Sequence, residues 1–519
     1  MKQMYKWMFC LAAAIPVAAA DWPQWGQTNS RNMVTTEKNL PTDFTPGKPL
    51  ADGSAIDPAT SKNIKWTARL GDQTYGNPTI SGGKIFIGTN NAHPRNQNRA
   101  GDYAVLMCFD QATGKFIWQL TSPKLAAGKA VDWENIGLCS SPTVDGDRVY
   151  IVTNRCEVIC VTTNGLAKEN VGPFVDEAKF IKNDPPTNTG EAPPDETNLK
   201  LDPATDADIV WRYDMRDELG IFPHNMTASS ILVVGDKIFV TTSNGVDWSN
   251  KHAPAPKSPA LVCLDKKTGK YIGEEKSGIS ARTFKSNWSS PASGKIKTDA
   301  GEKEIIIFGG GDGYCYGFDP TPVDGTLKEL WRCDCNPASR KMKDDKPLKY
   351  GTDKGPSEII STPVIVDGKV YVATGQDPEA GNGMGALTCI DATKTGDITT
   401  TGKIWTYEAI NRSISTASVV DGLVYVADFV GIIHCVDAGT GQLQWTHDTE
   451  GTTWGSTMVG DGKIYIGNEP GILSILTQGK ELKPIATIPF DGPIYGSPLV
   501  VDGVMYIATD KWLYAIQTK

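Results

Sequence analysis

The densest group of chemically capable side chains lies in two neighbouring stretches, Phe222-Pro-His-Asn-Met226 and Thr242-Ser-Asn-Gly-Val-Asp247-Trp248. Together with His252 they bring two imidazoles, two amides and a carboxylate close in sequence, although His occurs only 5 times in the chain. Neutral imidazoles beside oxygen donors can hold a cation, with Asn244 and Asp247 as the oxygen ligands, or hydrogen-bond a polar ligand. The same residues could equally form a network that braces a loop. In the first case His224, Asn225, Asn244, Asp247 and His252 must converge, with Trp248, Trp288 and Asp312 as aromatic and acidic neighbours. In the second, their polar atoms are consumed by the chain itself.

The 11 cysteines offer another chemistry. Cys108, Cys160, Cys263, Cys389 and Cys435 each stand two residues before Asp110, Thr162, Asp265, Asp391 and Asp437, in one recurring apolar pattern. Copies of one slot in successive repeats lie too far apart to bridge, so these are expected to be small buried hydrophobes. Cys333-Asp-Cys335 differs. Its spacing puts both thiols on one face of a strand, where a metal pair is conceivable, although a lone CxC is a weak signal.

What must position these residues is a repeat. A small or aromatic residue with Ser-Pro or Ser-Thr, a strand, a Gly turn, a second strand, a third ending in Asp, then a Thr-Gly turn and often Trp recur. The copies open at Tyr75, Cys139, Thr227, Trp288, Ile360, Ile414, Trp454 and Tyr495. Asp145-Gly146, Asp367-Gly368, Asp421-Gly422, Asp461-Gly462 and Asp502-Gly503 each separate two β-rich runs, the mark of a tight hairpin. Four strands repeated eight times predict an all-β, eight-bladed β-propeller. The last copy ends one strand short, while Ile64-Lys-Trp66-Thr-Ala-Arg69 precedes the first copy unused. The N-terminal strand should therefore complete the last blade and close the ring. Trp118, Trp211, Trp331, Trp405 and Trp445 occupy the same fourth-strand place and are read as inter-blade packing.

In such a ring the loops before the first strands and those between second and third strands open on one face. His93, His224, Asn225, Asn244, Asp247, His252, Trp288, Asp312, Asp377, Arg412, Asp428, Trp454, Glu469 and Asp510 fall there. A surface made of loops is polar in any case; loop length favours function. The stretches Asn90 to Asp102, Ser243 to Pro259 and Gln376 to Gly385 are far longer than hairpins need, and long loops on a rigid scaffold commonly bind. Residues 165–208, rich in Pro and acidic side chains, interrupt blade 2 and are expected to form a mobile excursion on the opposite face.

Residues 1–20, with Lys2 and Lys6 before an apolar run and Ala18-Ala19-Ala20 before Asp21, are expected to be a signal peptide. The mature chain, 21–519, is then a single propeller outside the cytoplasm, periplasmic or secreted. The formal charge of −9 argues against nucleic acid as a partner, and no later run is long enough to span a membrane.

The repeat Asp-Gly-x-Val/Ile-Tyr-Val/Ile, followed by Cys/Ala-x-Asp-x-x-Thr-Gly-x-x-Trp, resembles that of pyrroloquinoline quinone (PQQ) propellers. That group includes quinoprotein alcohol dehydrogenases and BamB-like outer-membrane assembly lipoproteins; Asp21-Trp-Pro-Gln-Trp25-Gly also looks like the usual start of such domains. Closer still, Phe222-Pro-His-Asn-Met226, Thr242-Ser-Asn-Gly-Val-Asp247, Trp288-Ser-Ser-Pro291 and Gly309-Gly-Gly-Asp-Gly313 resemble a group of functionally uncharacterised exported bacterial PQQ-like propellers. The resemblance implies two functions. One is a PQQ- and calcium-dependent alcohol or sugar dehydrogenase, in which Asn244-Gly-Val-Asp-Trp248 matches the segment carrying the calcium Asn. Against it, Ala253-Pro-Ala-Pro-Lys-Ser-Pro259 stands where the catalytic Asp belongs, Glu157 lies directly on a strand, and there is no adjacent Cys pair. The other, favoured here, is a non-catalytic binding or scaffolding protein of the cell envelope. Its partner, a protein or a small polar ligand, would meet the loop-rich face, with no cofactor required.

Overall fold

The structure, a computed structural model, describes residues 21–517 apart from 126–127 and 183–199. The predicted signal peptide at 1–20 lies outside the described residues.

Eight antiparallel sheets follow one another in chain order, each running from an inner to an outer strand. Blade 1 consists of Thr79–Ser81, Lys84–Asn90, Tyr103–Asp110 and Phe116–Pro123. Blade 8 is built from Leu499–Val501, Val504–Ala508 and Trp512–Ile516, and Ile64–Arg69 supplies its outermost strand in the register Arg69↔Trp512 to Ile64↔Ile516. The ring is thus an eight-bladed β-propeller closed by its N-terminal strand.

The repeat residues now have local causes. Asp367, Asp421, Asp461 and Asp502 take φ of 50, 50, 52 and 53°, and the Gly after each is also left-handed, the requirement of a two-residue type I′ hairpin. At the second turn the Asp437 carboxylate accepts from the backbone and hydroxyl of Thr440, both at 3.0 Å. Gly441 follows because the Trp405 ring of the preceding blade lies against it; a Cβ there would stand 2.7 Å from the indole. Trp405 donates to Ala438 O and Trp445 to Gly479 O, so each indole ties its blade to the next blade's turn. The Ser positions do the same at the inner strands. Ser141 Oγ accepts Asn77 N, Ser290 Oγ accepts Ser230 N, Ser456 Oγ accepts Thr416 N, and Ser497 N donates to Asn77 Oδ1 across the closure.

The segment before the first repeat forms a belt. It visits the inner strands of the blades in order: Trp22 pairs with Ile80, Pro23 O accepts Val144 N, and Asn29 Nδ2 reaches Val233 O. Asn29 O then accepts Ser293 N and Ser30 O accepts Ile365 N, Asn32 bonds Val419, Thr35 N reaches Val459 O, and Glu37 caps Asp502 and Gly503. Inner strands have one free edge; this segment bonds to that edge on the first seven blades and meets the eighth at the hairpin turn that follows its inner strand.

The insertion at 165–208 differs from the expected excursion at its described ends. Phe180 is buried against blades 1 and 2, Gln119 N bonds Thr205 O, and Asp206 forms a buried ion pair with Arg99 from the long loop of blade 1. Apolar residues and this buried pair hold it along the outer wall of blade 1. Two further departures are the short strands Thr326–Leu327 and Gly396–Asp397, which add in parallel to the outer edges of blades 3 and 4.

Cys108, Cys160, Cys263, Cys389 and Cys435 are buried and free, each on the third strand of its blade. Cys333 and Cys335 are also buried and free; Cys333 faces Cys315 across the sheet, within an apolar cluster.

Candidate functional site

Blade 3 brings its two motif loops together through the backbone. Pro223 pairs with Asn244, His224 N donates to Ser243 O, and Gly245 N donates to Phe222 O. Gly245 is required by this approach, since a Cβ there would lie 2.3 Å from Lys285 O. His224 is buried, with Nδ1 2.7 Å from Val246 O and its ring 5.9 Å from that of Trp288. Its Nε2 has no protein partner, and burial pushes its pKa below the ordinary histidine value.

Asn244 is buried and used at both ends: Oδ1 accepts Phe222 N and Nδ2 donates to Ala255 O, both at 2.9 Å. Asn225 takes φ 59° and is gripped by a neighbouring loop, its N donating to Ala130 O and its O accepting Trp133 N; its Oδ1 is buried without a protein partner. Asp247, Trp248 and His252 stand at the loop's exposed tip, where the Asp247 carboxylate accepts from Ser249 N and Oγ and is held below the usual carboxylate range by that hydroxyl. Trp288 donates to Met226 O. Asp312 lies apart, accepting from Tyr316 OH at 2.6 Å and Arg282 Nε at 3.1 Å in blade 4. The structure therefore joins His224, Asn244 and Trp288 at the base, carries Asp247, Trp248 and His252 at the tip, and sets Asp312 aside.

Beneath these loops runs a buried charged chain. Lys285, whose backbone O accepts Val246 N, pairs with Asp377 of blade 5, and Asp377 N donates to Glu358. Glu358 also accepts Ser286 N and Tyr350 OH, and burial pushes its pKa up to about 8. Above them Lys129, in the connection between blades 1 and 2, reaches Glu379 of blade 5 at 2.9 Å and stands 3.6 Å from the Trp133 ring and 5.5 Å from that of Trp248. Loops from three parts of the ring thus meet over the mouth. Sequence reasoning missed Lys129, Trp133, Lys285, Glu358 and Glu379. The length of the Gln376 to Gly385 loop was the available signal for Glu379; nothing marked the connection between blades 1 and 2.

Calcium and PQQ are implied by the fold, and the residues present do not fit them. The Asn244 amide already holds two backbone groups, and the Glu157 carboxylate lies between Arg212 at 3.1 Å and Arg155 at 3.4 Å. Among the described residues no group of three or more His, Cys, Asp or Glu could hold a metal ion. The axial channel keeps a cavity of about 140 Å³ between Trp25, Trp288, Trp454, Tyr75 and Tyr495, with hydroxyls of Ser141, Ser290 and Ser456 on its wall. Pockets that enclose drug-sized ligands run to about 300–1,000 Å³. Tyr75 and Tyr495 stack at 4.6 Å beside Trp454, narrowing the mouth.

The fold and this face define a PQQ-type propeller whose loops are joined over a narrow, hydroxyl-lined channel. A family described as "Outer membrane protein assembly factor BamB" matches residues 54–285 and 429–519, and the chain belongs to that family. No curated protein matches. Among solved structures, BamB from Moraxella catarrhalis is similar at 16% identity and TM-score 0.49, over 88% of this chain and 97% of that one. A quinohemoprotein alcohol dehydrogenase from Comamonas testosteroni is similar at 12% identity and TM-score 0.47, over 97% of this chain and 81% of that one. Among the described residues no helix is long and apolar enough to cross a membrane.

Proposed function

We propose that this is an exported, non-catalytic propeller of the cell envelope that binds a partner protein or a small polar ligand with its loop-rich face. The observation that carries this reading is the junction of Lys129, Trp133, Trp248 and Glu379 above the channel. It gives the face a continuous outer surface, with Trp248 56% exposed, over a loop base in which the Asn244 amide is already engaged at both ends. Exposed aromatic and charged side chains on a rigid frame suit recognition of a partner. The family's description as an assembly factor agrees with this role. His224, Asn225, Asn244 and Trp288 hold the face in place; Asp247, Trp248 and His252 meet the partner.

The competing function, a PQQ- and calcium-dependent dehydrogenase, makes an opposite demand on the channel. Calorimetry with PQQ plus Ca²⁺, followed by dye-linked oxidation of alcohols and sugars, separates the two. The proposal expects neither saturable binding nor turnover; binding with turnover would overturn it. Intact mass of the exported protein should correspond to a chain beginning at Asp21.

A further inference from the structure

We propose that Trp133, Trp248 and Glu379 form a cage for a quaternary ammonium group, occupied in this state by the chain's own Lys129. This rests on the reading that the loop-rich face does the binding, and it names the chemistry of what is bound.

The walls are held independently of the occupant. Trp133 is fixed through its backbone, with N donating to Asn225 O at 2.9 Å and O accepting from Lys124 Nζ at 2.6 Å. Glu379 is set by the Asp377 carboxylate, which accepts its N–H at 2.8 Å at the start of the short turn Pro378–Ala380. Trp248 sits in a loop closed by Asp247 N to His252 O at 2.7 Å and Asn250 N to Asp247 O at 2.9 Å. Three parts of the ring thus present two indoles and one carboxylate to a single point, and a cation occupies it.

The occupant fits that point poorly. Lys129 Nζ is 3.6 Å from the Trp133 ring but 5.5 Å from that of Trp248, so it rests on one wall and leaves space before the other. Its side chain remains 33% exposed and that of Glu379 45%, so their ion pair is screened by water and weak. A primary ammonium is compact and strongly hydrated, and it gives up much hydration on entering an aromatic slot. A quaternary ammonium is broader and less hydrated; its methyl groups can reach both indoles while its charge faces Glu379, the arrangement by which aromatic cages recognise choline-like groups. Lys129 then acts as an internal competitor that lowers the apparent affinity by the fraction of time it fills the cage.

The test uses the purified full-length mature protein and choline, with the neutral isostere 3,3-dimethyl-1-butanol as control, titrated by calorimetry. Lys129→Ala should bind choline about tenfold or more tightly than the wild type, the expected release of a self-occupied site. Trp248→Ala in the Lys129→Ala background should abolish binding, Glu379→Gln in that background should weaken it, and the isostere should not bind. Trp248 is exposed, so this substitution leaves folding intact, and matching melting curves verify it. Co-sedimentation with phosphatidylcholine vesicles, reversed by choline, would mark a lipid headgroup as the source; choline binding without co-sedimentation would mark a soluble ligand. Equal choline affinity in wild type and Lys129→Ala, equal binding of the isostere, no choline binding to a folded Lys129→Ala protein, or retention of binding in Trp248→Ala would each overturn the cage. None of these results bears on PQQ turnover or partner cross-linking, so the cage can fail while the proposed function stands.

Discussion

Replacing Arg31 with Met should destabilise the whole ring. Arg31 is fully buried in the N-terminal belt, and every N–H of its guanidinium ends on a carbonyl oxygen. Nε donates to Pro291 O, one terminal nitrogen to Trp25 O and Gln24 Oε1, and the other to Ser230 O and Ile231 O, at 2.9 to 3.2 Å. Burial pulls its pKa down to about 9, so it stays charged at neutral pH. Methionine fills similar space with no donor. Ile231 O keeps a 2.6 Å bond from Thr143 Oγ1, but the other acceptors lose this partner. An orphaned buried acceptor costs about 1–3 kcal/mol, while removing a buried charge returns part of its desolvation; a net loss of about 3–5 kcal/mol follows. At about 2.1 cal/mol/K per residue of unfolding entropy, a chain of this length should lose about 3–5 °C in Tm. Arg31→Lys, with fewer donors but the same charge, should fall between. Differential scanning calorimetry at neutral pH reads all three; a Tm of Arg31→Met within about 1 °C of wild type, where the argument needs several degrees, would refute the belt as a clamp.

Deleting residues 21–70 removes both belt and closing strand and should unfold or aggregate the protein, exposing the edge of blade 8; a truncated chain with native Tm would contradict the closure. Trp405→Ala empties an inter-blade contact and leaves Ala438 O unpaired, so a loss of about 3–5 kcal/mol is expected in denaturant titration. Burial raises the pKa of Glu358 to about 8, Glu275 to about 7 and Asp510 to about 6. The folded state therefore holds protons that the unfolded state has lost above the ordinary carboxylate range. Their stabilising contribution is complete below that range and is lost as pH rises through it towards about 8, so Tm should fall over this window and Glu358→Gln should flatten the fall. In denaturant, Cys108, Cys160, Cys263, Cys389 and Cys435 should all titrate as free thiols; a bridge between any two found by mass spectrometry would reject the repeat-slot argument.

The architecture was legible because it is written in local periodicity. The Asp-Gly hairpins, the Thr-Gly turns and the fourth-strand tryptophans each report a contact made once per blade, and the unused Ile64–Arg69 strand could be placed by counting. The belt was not legible: its contacts are isolated backbone and side-chain hydrogen bonds, from the strand at Ile80 to the hairpin turn at Gly503, and no sequence spacing encodes them. The candidate site was legible in part. His224, Asn244 and Trp288 could be grouped because loop order in a propeller is fixed, but whether Asn244 faces a ligand or Phe222 N depends on side-chain direction within a buried loop. Lys129 and Glu379 meet across the mouth only through the closure of the ring.

The central claim is that the loop-rich face is where this protein meets its partner. A photoreactive amino acid at Trp248 or Met384, both exposed on long loops of that face, should give a discrete, reproducible cross-linked adduct in cells of the native host. The same residue at Val323 or Ile485, exposed elsewhere on the ring, should give none. Adducts only from Val323 or Ile485, with Trp248 and Met384 silent, would contradict the account.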